Sequence, residues 1–328
     1  MSVLVTGAAG FIGSHVCQAL LAQGERVIGV DNLNDYYDVA LKEARRDRLL
    51  RHNAFSFEHE DIADRAAIEA LASKHPDITR VVHLAAQAGV RYSLQNPFAY
   101  VHSNVLGHLV MLEFCRHLDG LEHLVYASTS SVYGGNKKVP FAATDRTDTP
   151  ISLYAATKKS DEHMSHCYSH LYRIPATGLR FFTVYGPWGR PDMAAYIFAK
   201  SIYAGKPIRL FNNGDMKRDF TYIDDIVAGV ISCVYKPPVD NGTDAPHRVY
   251  NIGNNRSEQL TRFVELIEET IGKKAEIEYA PMQPGDVKET CADISDTRRD
   301  FGFEPKTPID IGIPRFIEWF REYHNVGG

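Results

Sequence analysis

Short apolar runs alternate with longer segments of helical period through the first half of the chain. Residues 2–5, 26–30, 55–59, 81–84, 123–127 and 176–182 read as strands. Most are continuous apolar runs, as expected of parallel strands buried on both faces. Helices are predicted over 12–23, where Gly24 supplies a C-terminal stop, over 97–117 and over 153–172. Residues 32–51 read as a loop and then a mixed-charge helix, with the run Lys42-Glu43-Ala44-Arg45-Arg46 expected on its solvated face. The alternation predicts an α/β fold with a Rossmann-type doubly wound parallel sheet. Beyond residue 180 the elements shorten. Helices are expected near 196–204, 224–234, 260–271 and 309–323, and strands near 208–211, 218–223 and 249–253. Glycines and prolines break the pattern between 183 and 191. The expected division is therefore a first domain over 1–180 and a smaller α/β domain over 181–328, with some later segments free to return to the first.

Composition narrows the function classes. The net charge of -5 offers no basic footprint for nucleic acid or anionic lipid. Five cysteines are dispersed without a C-x-x-C, which argues against a disulfide framework or a structural zinc and for a reducing compartment. No signal peptide is expected at the N-terminus, and no apolar run approaches the roughly 20 residues of a membrane span. A cytoplasmic protein without a metal site is the expectation.

Candidate chemistry collects at the predicted strand ends. Gly7, Gly10 and Gly13 form a G-x-x-G-x-x-G turn between the first strand and helix. Glycines there let a backbone approach a pyrophosphate, which a helix N-terminus attracts; a tight βα connection would use the same residues. Asp31-Asn32 ends the second strand. An acid in that place either accepts from a ribose 2′-hydroxyl, favouring NAD over NADP, or caps the next segment. Asp61 is either an adenine contact or a turn residue, and Arg91 either meets an anion or lies on the surface. Residues 84–89 are mostly small, as a strand end against a cofactor requires, and His83 just before them reads as a core histidine. Asn104 sits mid-helix against its propensity, which points to a tertiary role. Ser128, Thr129, Ser130 and Ser131 place four hydroxyls at a strand's carboxyl end, able to hold a sugar hydroxyl or form a polar turn. Arg209 and Arg218 are spaced cations whose forks suit a diphosphate.

Tyr154 and Lys158 are four residues apart on one predicted helix and share a face. An ammonium beside a phenol favours the phenolate, and two unit charges about 4 Å apart at an effective dielectric of about 20 interact by roughly 4 kcal/mol. The spacing is common by chance; its company makes it specific.

Taken in order, the glycine turn, Asp31, the Ala85-Ala86 strand end, Asn104, Thr129 and Tyr154-x-x-x-Lys158 resemble the extended short-chain dehydrogenase/reductase family of nucleotide-sugar epimerases, dehydratases and decarboxylases. The resemblance covers essentially the whole chain. Within the family, stretches such as VDNLNDYYDVALKEARRDRL, STSSVYGGNKKVPF and LRFFTVYGPWGRPDMA resemble its UDP-glucuronate 4-epimerase branch. The resemblance implies an NAD-binding first domain and a nucleotide-sugar-binding second one. It implies that Tyr154 is the general base and acid at the sugar 4-hydroxyl, that Lys158 binds the nicotinamide ribose, and that Thr129 bonds the 4-oxygen. It further implies that Phe11, Ile12, Asp31, Asp61, Ile62, Leu84, Ala85, Ala86, Gln87, Ala88, Asn104 and Phe182 line NAD, while Arg209, Arg218 and Asp286 hold a uridine diphosphate. Thr183 stands where galactose epimerases keep an asparagine, and Gln283 where they keep an arginine. Thr183, Arg190 and Thr129 to Ser131 are therefore candidates to clamp a C6 carboxylate. A homodimer through the two long helices is also implied. The alternatives are a UDP-glucuronate decarboxylase, another UDP-hexose 4-epimerase, a single-substrate reductase and a non-catalytic dinucleotide sensor. No carboxylate follows Thr129, which counts against the decarboxylase.

Overall fold

The computed structural model describes residues 1–327. Strands β1 (Ser2–Thr6), β2 (Arg26–Val30), β3 (Phe55–Glu58), β4 (Ile78–His83), β5 (His123–Thr129) and β6 (Ala176–Phe181) form a parallel sheet in the order 6-5-4-1-2-3. All five residues of β1 are buried, as are all six of β6, because helices cover both faces of the sheet.

Helices α1 (Phe11–Ala22), α2 (Val39–Leu49), α3 (Arg65–Lys74), α4 (Pro97–Tyr100) and α5 (Gly107–Arg116) connect these strands, together with the long α6 (Leu153–Tyr172). The sequence pattern assigns no helix to α3. Its inward stripe reduces to Ile68 and Leu71 among alanines, although Asp64 caps it by accepting from Ala67 N–H at 3.1 Å. The helix expected over 97–117 is interrupted by a π turn, Val101–Leu106, between α4 and α5. The solvated face expected for the charge run of α2 also needs correction: Glu43 is exposed, but Lys42 and Arg45 are buried.

The second half supplies β7 (Thr183–Tyr185), α7 (Ala194–Tyr203), β8 (Ile208–Phe211), β9 (Lys217–Arg218), β10 (Phe220–Tyr222), α8 (Ile223–Val234) and β11 (His247–Ile252). It ends with β12 (Glu258–Gln259), α9 (Leu260–Ile271), β13 (Ile277–Ala280), α10 (Ser295–Phe301) and α11 (Ile309–His324). β11 returns to pair with β6 and makes the first sheet seven-stranded. The remaining strands pair in twos: β7 with β10, β9 with β12 and β8 with β13. One apolar core runs from Val3 and Val16 through Phe182 to Phe263, Phe316 and Phe320 without a break, so the two halves share it. A second cluster, including Leu4, Ile28, Val81, Met111 and Leu124, fills the other face of the sheet.

Candidate active site

Strand order reverses between β1 and β4, and doubly wound sheets bind ligands outside the carboxyl ends beside such a reversal. A cleft opens at that point. β1 runs into Gly7, whose φ of +71° suits glycine. A Cβ there would lie 2.9 Å from Ala85 N, and one on Gly13 only 2.0 Å from the Gly7 carbonyl oxygen. Turn, helix and β4 end therefore approach too closely for side chains. Gly10 caps α1 without a side-chain acceptor, which leaves first-turn N–H groups to an anion. Asp31 is fixed beside the turn: Oδ2 accepts from Ala9 N–H at 3.1 Å and Oδ1 from Leu33 N–H at 2.9 Å. A bare-backbone cradle followed by a placed acid fits a dinucleotide pyrophosphate and its ribose.

Gly7, Gly10, Phe11, Ile12, Gly13, Asp31, Asn32, Ile62, Leu84 to Ala88, Ser128 and Phe182 all line the cleft. Asp61 stands behind it, its Oδ2 accepting from Asn32 Nδ2 at 2.9 Å. Asn104 also acts from behind. The π turn frees its side chain, which accepts from Gln87 N–H at 2.8 Å and donates to Gln87 O at 3.1 Å and Thr157 Oγ1 at 3.0 Å. This ties the β4 end to α6 and accounts for an asparagine in mid-helix. His83 is the core histidine expected, 2.7 Å from Thr6 Oγ1, and burial lowers it to about 3, so it is neutral.

Ser152 caps α6 by accepting from Ala155 N–H at 3.1 Å, and this sets the helix so that Tyr154 and Lys158 both reach the cleft. The Tyr154 ring meets Tyr100 edge-on at 6.0 Å. Lys158 donates to Asp161 Oδ2 at 2.6 Å, and both side chains are buried. Its ammonium thus has a carboxylate partner one helical turn on, in a burial that the spacing alone does not reveal. Burial pushes the Asp161 carboxyl up to about 6, against the pull of Lys158.

Thr129, Ser130 and Ser131 line the same cleft at the end of β5. Thr129 Oγ1 accepts from Ser131 N–H at 3.2 Å, which curls the hydroxyls into one turn. Ser128 donates to Glu162 Oε1 at 2.7 Å, and Arg180 forks Glu162 at 2.7 and 2.8 Å. Burial favours the neutral acid at Glu162, but the Arg180 fork outweighs it and takes the carboxyl down to about 2.

At the other end Arg218 and Asp286 both line the cleft and pair at 2.7 Å. Thr183 opens β7, its N–H donating to Asp219 O at 3.1 Å. Arg190 lines the cleft too, but its Nε donates to Asp192 Oδ1 at 3.0 Å, so the expected clamp cation already has a counter-ion. Arg91 and Arg209 are not brought into the cleft. Arg91 is exposed at its rim, 4.5 Å over the Phe211 ring and 3.9 Å from Asp286. Arg209 pairs with Glu278 at 3.2 Å in a separate shallow groove that includes Phe211 and Gln283. The sequence reasoning missed Tyr36 and Lys42, which line the cleft; Lys42 donates to Asn34 O at 2.7 Å. No sequence signal singles them out: Tyr36 precedes α2 and Lys42 sits in a charge run.

Among the described residues no cluster could hold a metal ion, the five cysteines are free, and no helix is long and apolar enough to cross a membrane.

A family model described as GDP-mannose 4,6-dehydratase matches residues 4–316. The chain is 49% identical to Protein CapI of Staphylococcus aureus over 99% of each protein. It is 47% identical to UDP-glucuronate 4-epimerase 2 of Arabidopsis thaliana, over all of this chain and 77% of that protein. The crystal structure of a Bacillus cereus UDP-glucuronic acid 4-epimerase with UDP-glucuronic acid and NAD superposes with a TM-score of 0.89 at 35% identity, covering 98% of this chain and 100% of that one.

Proposed function

The chain belongs to the GDP-mannose 4,6-dehydratase family, and from that premise we propose that it is an NAD-dependent UDP-glucuronate 4-epimerase, interconverting UDP-glucuronate and UDP-galacturonate. The observation that carries this reading is one cleft lined by a dinucleotide cradle, a tyrosine and a lysine on α6, a turn of hydroxyls and the half-buried Arg218.

Tyr154 takes the proton of the sugar 4-hydroxyl and returns it to the inverted oxygen, while Thr129 holds that oxygen. NAD, when bound, supplies a reversible acceptor for the hydrogen on C4. Gly7 to Gly13 and Asp31 would hold it, with Lys158 on its nicotinamide ribose. Arg218, with Asp286 paired to it, holds the uridine diphosphate end, remote from C4, so the sugar can present either face without release. The 4-keto sugar acid formed on the way is a β-keto acid, prone to lose carbon dioxide. Hydroxyls of Thr129 to Ser131 and of Thr183 would orient its carboxylate, with Arg190 compensated by Asp192.

Two further readings belong with this one. A homodimer through α4–α5 and α6 is supported by apolar side chains exposed there: Phe98 is 83% exposed, and Val101, Leu106, Leu171 and Tyr172 are exposed as well. A reducing, cytoplasmic setting is supported by five thiols without a disulfide among the described residues.

The test is proton NMR of the nucleotide sugars after incubation with UDP-glucuronate and no added NAD. UDP-galacturonate is expected; UDP-xylose as the product would make the enzyme a decarboxylase.

A further inference from the structure

Arg45 is fully buried, yet among the described residues none of its hydrogen bonds goes to a carboxylate. Buried cations ordinarily pair with an acid, because taking a charge out of water is costly. Here neutral oxygens replace the water. Nε and Nη2 donate to Trp188 O at 3.1 and 2.6 Å, and Nη2 also to Gly189 O at 3.1 Å. Nη1 donates to Ala9 O at 3.2 Å and to the Tyr37 hydroxyl at 2.7 Å.

These acceptors lie in different parts of the fold. Ala9 is inside the glycine turn, and its N–H is the group bonded to Asp31. Trp188 and Gly189 lie in the loop after β7 that leads to Arg190. Two more ties run alongside: the Tyr36 hydroxyl donates to Asp192 Oδ2 at 3.2 Å, and Arg48 lies 4.4 Å over the Trp188 ring. The segment from Tyr36 to Arg48 thus straps the cofactor cradle to the sugar-side loop. The unpaired charge also sits behind a turn whose own contribution to an anion is N–H dipoles.

We propose that Arg45 is a positioning residue for cofactor retention. Its fork closes the cradle onto the loop after β7, and its charge, matched by no acid among the described residues, favours a pyrophosphate there. This rests on the NAD-dependent reading above. A reaction that restores its cofactor in each cycle gains nothing from releasing it, and a fixed link between the two halves suits such a resident group.

The experiment compares wild type with Arg45→Met, which removes charge and fork, and Arg45→Lys, which keeps the charge and loses the fork. NAD content after dialysis, NAD and UDP affinity of the stripped proteins by calorimetry, and melting of the stripped proteins are measured. Wild type should retain NAD, Arg45→Lys should bind it about tenfold more weakly and Arg45→Met about a hundredfold, as loss of hydrogen bonds from a charged donor implies. UDP affinity should stay within about twofold, since the diphosphate end is held elsewhere. NAD held as tightly by both variants as by wild type would overturn the proposal. So would NAD and UDP affinities falling in parallel with the melting temperature, which would mark Arg45 as a fold element alone. Should Arg45→Met not fold, Arg45→Lys alone decides between these outcomes. Wild type that binds no NAD would instead sink the cofactor reading, and the clasp with it.

Discussion

Tyr154 is the group through which a proton can enter and leave the sugar in this account. Tyr154→Phe keeps the ring and its edge-on contact with Tyr100 but removes the proton carrier. Turnover should fall by about 10²–10⁴-fold, the usual weight of general acid–base catalysis, with UDP affinity unchanged by calorimetry. Arg218 acts at the opposite end and in the opposite way. Arg218→Ala leaves the half-buried Asp286 with only the exposed Arg91, 3.9 Å away, as a counter-ion among the described residues. About 2 kcal/mol or more of binding should be lost, raising KM by about thirtyfold with a far smaller change in kcat, because the diphosphate is held equally in ground and transition states. Steady-state kinetics separate the two cases. At this scale the legible residues were those whose backbone context carries the signal: glycines at a strand end, an acid one strand on, a tyrosine and lysine one helical turn apart. Asn104 announced itself by sitting against its propensity. Lys42 and Arg45 did not, because a charge run on a helix ordinarily faces water, and the neutral carbonyls that bury Arg45 lie 36 and more than 140 residues away. Asp161 was missed in the same manner: its spacing to Lys158 is helical, but burial is what makes the pair matter.

Helix α6 does more than carry two cleft residues. One turn beyond Lys158, Glu162 binds Ser128 and the Arg180 fork, locking the helix to β5 and β6. Glu162→Gln breaks a buried pair by removing one partner, so about 3–5 kcal/mol of stability should be lost at pH 7. The pH dependence has a definite sign. The folded carboxyl lies near 2, below an ordinary glutamate near 4.3, so the contribution is full above the ordinary range and disappears as pH falls towards about 2. Thermal unfolding followed by circular dichroism should show Glu162→Gln and wild type converging between about pH 4.5 and 2; parallel curves would refute the assignment. Element legibility followed apolar content. The buried strands and amphipathic α9 and α11 stand out, whereas α3 lacks large apolar positions, and the π turn leaves no mark in the period until Asn104 is seen bonded to Gln87.

At the scale of the whole molecule, the seven-stranded sheet is not assembled in chain order. β11 crosses from the second half to join β6, and the cores of the two halves are continuous. A cut at residue 180 would therefore strand the β6 edge, a pairing that local sequence patterns do not carry. The outer face of α4–α5 offers a second prediction at this scale. Phe98→Glu places a charge on the most exposed large apolar side chain of that face. Light scattering after gel filtration should show a dimer for wild type and a monomer for the variant, while a dimer in both would move the interface elsewhere. The central claim, transient oxidation at C4 with the hydrogen kept inside the cleft, is tested most directly by supplying UDP-glucuronate deuterated at C4. UDP-galacturonate that carries the deuterium at C4 is expected; UDP-galacturonate that has lost the label to water would contradict transient oxidation with the hydrogen kept in the cleft.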